Sequence, residues 1–156
     1  MPQQDFFNIN PDIPAEESYE DKFARERAEW IKKTEDLSGR VKNVLDIPLL
    51  MTDLYTERQR CLEYHHYLIT IFSKINREYR AKYAERYDFW SFKSQIRYPT
   101  ETAKINKIHT ELADLLSKRE AIDNHQKYMD KTVATIDNII YAIPRRVEIE
   151  QISRGK

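Results

Sequence analysis

Between Asn76 and Pro99 the chain reads NREYRAKYAERYDFWSFKSQIRYP, and seven of these 24 residues are aromatic: Tyr79, Tyr83, Tyr87, Phe89, Trp90, Phe92 and Tyr98. Six are basic, namely Arg77, Arg80, Lys82, Arg86, Lys93 and Arg97, and only Glu78, Glu85 and Asp88 oppose them. A packed core uses rings without cations, and a solvated surface uses cations without rings. Single-stranded nucleic acid asks for both, because cations follow its phosphates while its bases stack on aromatic faces, at roughly 1–3 kcal/mol per base. Tyr79, Tyr83 and Arg86 share one side of a helix by steps of four and three, with Arg80, Lys82 and Tyr87 beside them. After Asp88 the stretch SFKSQIRY alternates and predicts an extended strand, with Lys93 and Arg97 on one edge and about 6.7 Å between alternate residues. A second basic cluster, Arg145 and Arg146 with Arg154 and Lys156, lies near the C-terminus. The candidate nucleic-acid-binding residues are thus Arg77, Arg80, Lys82, Tyr83, Arg86, Lys93, Arg97, Arg145 and Arg146. The competing readings are a ring-packed turn between two long helices and a solvated basic tail.

Other chemistry finds little support. Gly39 and Gly155 are the only glycines, so no phosphate-cradling glycine loop can be built. Glu57, Cys61 and His65 follow one another at four-residue spacing and form a conceivable metal face, against the plainer reading of a buried seam in which cysteine acts as a small apolar residue. Glu63 and His66 form a single Glu-x-x-His pair, whereas a di-iron bundle needs two such pairs and two further glutamates. The expectation is a protein that is not an enzyme and holds no metal or cofactor.

The elements that must carry the patch are helical. The 156 residues suffice for one domain and carry no net formal charge, yet residues 1–60 hold 9 basic and 13 acidic side chains, and the remainder is basic by the same margin. Residues 1–17 read as a flexible acidic tail whose Phe6, Phe7 and Ile13 resemble a docking motif, and the acidic arm of residues 1–36, with 5 basic and 10 acidic side chains, is expected to shield the basic patch. Residues 18–46 read as an N-terminal helix and linker, opened by Ser18 and closed by Gly39 as a C-cap. Residues 47–156 form the main body. A second helix starts near Asp46 or Ile47 with Pro48 in its first turn, and reaches Tyr83 or Arg86. A third helix follows Thr100 and ends at Pro144, with a short basic helix after it. Its stripe is Ile105, Ile108, Leu112, Leu115, Arg119, Ile122, Gln126, Met129, Val133, Ile136, Ile140 and Ile143, in which steps of three and four alternate throughout. Unbroken from Glu101 to Ile143, such a helix is roughly 65 Å long and outgrows a compact domain of this size. The apolar members of that stripe, Ile105, Ile108, Leu112, Leu115, Ile122, Met129, Val133, Ile136, Ile140 and Ile143, are therefore expected to be covered by other copies. Arg119 and Gln126 would set register or line a channel. The fold class expected is all-α: long helices in a helical bundle or coiled-coil arrangement, oligomeric, with a short aromatic and basic link between the two longest helices. The single Cys61, the lack of a secretory signal and the lack of a membrane-length apolar run point to a cytoplasmic protein.

Over roughly residues 44–156 this pattern resembles the UvsY-like recombination mediators of T-even-type phages and cyanophages. The resemblance rests on a long helix ending in NREYRAKYAERY, on the link FWSFKSQIRYP, and on the last long helix with NHQKYMDKTVATIDNII. The chain departs from the family where Ala142-Ile143-Pro144-Arg145-Arg146 replaces an Arg-Gly turn and where Tyr87-Asp88-Phe89-Trp90 replaces a Tyr-x-Gly turn. The resemblance implies a ring-like homo-oligomer that binds single-stranded DNA, displaces a single-strand-binding protein and loads a RecA-type recombinase in the host cytoplasm. Arg80 and Lys82 best match the family's DNA-binding pair, with Arg86 next. A coiled-coil structural or assembly protein of a phage is the alternative.

Overall fold

The fold was taken from a computed structural model, which describes residues 17–155. The expected tail and its docking motif lie outside these residues, save for Glu17. Four α-helices follow in order: α1 (Tyr19–Arg40), α2 (Ile47–Asp88), α3 (Glu101–Glu111) and α4 (Ala113–Arg154). A 3-10 turn at Val44–Asp46 leads into α2, and a π-helical turn at Phe89–Lys93 ends it. Among the described residues there is no strand, and no helix is long and apolar enough to cross a membrane.

Local sequence explains the boundaries. The Ser18 hydroxyl accepts from the Asp21 N–H at 3.1 Å, and the Thr100 hydroxyl accepts from the Ala103 N–H at 3.1 Å, so each satisfies a free donor of a first helical turn. Pro48 sits in the first turn of α2, where a missing N–H costs nothing. Gly39 does not act as a left-handed cap. It lies inside the last turn of α1, and no described residue has a positive φ.

The core is a three-helix bundle in which α2 runs antiparallel to both α1 and α4. Side chains fix this pairing. Arg58 meets Asp137 at 2.7 Å, Gln126 Nε2 donates to the Leu68 carbonyl at 3.1 Å, and Arg119 Nη1 donates to Asn76 Oδ1 at 3.2 Å. Arg119 and Gln126 thus tie α4 to α2. From α1, Phe23, Trp30 and Leu37 close the bundle over Leu50, Leu54, Cys61 and Leu68 of α2 and Ile122, Met129 and Ile136 of α4.

Three expectations about the last helical region are corrected. It is not one straight rod, because Leu112 leaves helical dihedrals (φ −103°, ψ 17°) and separates α3 from α4. That bend seats Ile108 and Leu112 on Tyr79 near the end of α2. Nor does it end at Pro144, for α4 runs on to Arg154. Ile143 and Val147 pack on the core on either side of the proline, and this packing offsets the roughly 3 kcal/mol that an interior proline costs. Most consequential, the apolar stripe is covered by the chain itself. Ile108, Leu112, Ile122, Met129, Val133, Ile136 and Ile143 are buried and Ile105, Leu115 and Ile140 half-buried, so an uncovered seam no longer argues for other copies. The reason is that α2 and α1 together wall the stripe along α4, while the end of α2 covers Ile108 and Leu112.

Candidate nucleic-acid interface

The tail of α2 extends past the start of α1, and there the bundle is finished by α3 instead. Residues 74–119, which build this distal end, hold eleven basic and six acidic side chains, net +5. The expected strand is absent. Residues 89–93 form a π-helical turn closed by the Ser94 N–H donating to the Phe89 carbonyl at 2.8 Å, and Ser94 begins an irregular link to α3. The alternation of SFKSQIRY therefore came from a turn and a loop, not from a pleat.

The structure divides the candidate residues sharply. Arg86 belongs to an internal clasp. Its Nε and Nη2 meet the Glu111 carboxylate at 2.6 and 3.0 Å, and its guanidinium lies 4.4 Å from the Phe89 ring centre and 5.5 Å from that of Trp90. Trp90 Nε1 donates to the same carboxylate at 3.2 Å. The bond to Glu111 raises the affinity of Arg86 for its proton, and Arg86, with Trp90 behind it, holds the Glu111 carboxyl below its ordinary range. Lys104 lies 4.2 Å over Tyr87, and Arg119 lies 4.6 Å over Tyr79. Tyr83 is half-buried in a row with Tyr79 at 5.9 Å and Tyr87 at 6.3 Å. Much of the cation and ring content thus binds α3 to α2.

Other cations keep their heads in solvent. Lys82 pairs with Glu78 at 3.2 Å and Lys93 with Asp88 at 2.9 Å, both as exposed pairs of the kind that exchange easily with water. Arg77, Arg80 and Arg97 are exposed and form no ion pair among the described residues. Arg77 and Arg80 stand three residues apart on the face of α2 away from its buried stripe, so both heads can reach one backbone. Arg145 and Arg146 are at the other end of the bundle. The antiparallel pairing sets them beside the start of α2, about 50 Å from Arg80 at 1.5 Å per residue. Arg145 is exposed and Arg146 half-buried with its Nε unpartnered. The two basic clusters stand at opposite ends of the bundle.

Sequence reading missed the most buried polar group. Glu26 of α1 accepts from the Tyr64 hydroxyl of α2 and lies 2.9 Å from His125 Nε2 of α4, with Phe23 stacked on the imidazole at 4.2 Å. Burial, and then the Glu26 charge, push the Tyr64 phenol up. Glu26 and His125 stand 99 positions apart, and no local spacing joins them. Cys61 is buried and its thiol is pushed up to about 12, mainly by burial and then by the Glu57 charge. Glu57 itself pairs with Lys33 and Arg60. Among the described residues no three His, Cys, Asp or Glu side chains gather as metal ligands.

Comparison with protein-family models, with curated proteins and with solved structures finds no match for this chain.

Proposed function

We propose that the chain is a non-enzymatic binder of single-stranded DNA that works as a recombination mediator, helping a RecA-type recombinase to replace a single-strand-binding protein. The observation that carries this reading is the set of three exposed arginines without acidic partners, Arg77, Arg80 and Arg97, on an end of net charge +5. Guanidinium heads left free, two on a helix and one on the link that follows it, suit phosphates, which need position more than sequence. The clasp of Arg86 and Glu111 supports the same reading indirectly, because it fixes the link that carries Arg97. One such patch grips weakly, and several copies on one strand multiply that grip through effective concentration. Copies would meet through exposed Leu45, Leu49, Tyr141, Ile149 and Ile152 at the opposite end, which leaves the distal patches free.

The engagement of Tyr79, Tyr87, Phe89 and Trp90 by internal cations favours a second reading, a structural helical protein whose rings serve packing alone. Titration of a labelled oligonucleotide separates the two. The mediator reading expects saturable binding to a single strand at moderate salt, weaker binding to duplex, and a shortened lag when a recombinase assembles on strand coated with single-strand-binding protein. Absence of binding at micromolar protein would leave the structural reading standing.

A further inference from the structure

We propose that Phe92 is the base-stacking platform of the distal patch. This rests on the single-strand reading and adds the group that holds the bases. Among the seven rings between Asn76 and Pro99, six lean on another ring or a cation: Tyr79, Tyr83, Tyr87, Phe89, Trp90 and Tyr98. Phe92 is 82% exposed and makes no ring or cation contact among the described residues. Its position is rigidly framed, because the π-helical turn closes around it through the bond from Ser94 to Phe89, and the clasp on Glu111 holds Phe89 and Trp90 behind it. π-helical turns of this kind often mark functional positions.

The surroundings name the partner. Residues 89–100 contain no acidic side chain, and Lys93 and Arg97 flank the ring at one and five positions. A ring that gains nothing for the fold, set among cations on an acid-free link, has the two elements that a sequence-tolerant single-strand site combines. The bare face of Phe92 accepts any base, while Arg77 and Arg80 before it in the chain and Arg97 after it hold phosphates of the same strand. An anionic lipid surface also suits an exposed Phe beside cations, so the test includes it.

The full chain and Phe92→Ala are titrated with oligo-dT and with an abasic oligomer of equal length. Stacking of one base predicts about tenfold weaker binding of the variant to oligo-dT, with abasic binding unchanged and Phe92→Trp restoring affinity. Since the ring is exposed, the melting temperature of the variant should match that of the parent. Equal affinity of parent and variant for oligo-dT, or equal losses on both oligomers, overturns the role of Phe92 while the single-strand reading stands. Failure of the parent to bind either oligomer overturns both. Loss of binding to phosphatidylserine vesicles with oligonucleotide binding intact assigns the ring to lipid and also overturns the proposal.

Discussion

Glu26, Tyr64 and His125 meet at one level of the bundle, one from each of its long helices. Shifting any helix by one turn leaves a charged or polar group buried without its partner, so the trio acts as a register key. Glu26→Ala strands the other two and should lower the stability by about 3–5 kcal/mol in urea denaturation. Tyr64→Phe, which keeps the ring, should cost less, about 1–2 kcal/mol. Cys61 gives a second residue-level outcome. Its raised pKa leaves the thiol protonated in the folded state while the unfolded chain ionises above the ordinary thiol value. Stability contributed there is intact at neutral pH and falls as pH rises from about 9 toward about 12. At pH 8, iodoacetamide should therefore label the native chain negligibly and the urea-unfolded chain fully, as read by mass spectrometry.

At the scale of elements, α3 is held by a small buried area together with an ion-pair clasp. Its buried side chain is Ile108, and Glu111 supplies the clasp. The Glu111 carboxyl is depressed by Arg86, so its stabilisation is present above the ordinary carboxylate value of 4.5 and is lost as pH falls through the lower folded value. Amide exchange in α3 should accelerate relative to α2 as pH falls below 4.5, and Glu111→Ala should accelerate it about fivefold at neutral pH, in line with roughly 1 kcal/mol for a well-formed but accessible pair. Steps of three and four made the helices and their inward faces legible in the sequence, and Ser18, Pro48 and Thr100 marked where they begin. What covers each face was not legible, because periodicity states that a stripe is apolar and not which helix lies on it. Phe23, Trp30 and Leu37 of α1 join α2 in covering α4. The patch was half-legible for a similar reason. Arg86 and Phe89 advertise cation and ring, but the Glu111 that captures Arg86 lies 25 residues on, where only the fold brings it close.

For the whole molecule, the bundle separates two ends. One carries net +5, three free arginines and the bare Phe92; the other carries exposed Leu45, Leu49, Tyr141, Ile149 and Ile152. If copies join through the second end, sedimentation should show a concentration-dependent assembly that Leu49→Asp with Ile152→Asp returns to monomer while helix content is kept. The central claim, that the free arginines hold phosphates, is tested most directly by the salt dependence of oligo-dT binding. Each phosphate contact on a single strand contributes about −0.7 to the slope of log K against log salt. Arg77→Ala, Arg80→Ala and Arg97→Ala together should make the slope shallower by about 2 and leave the assembly state unchanged. A slope equal to that of the parent would contradict the account.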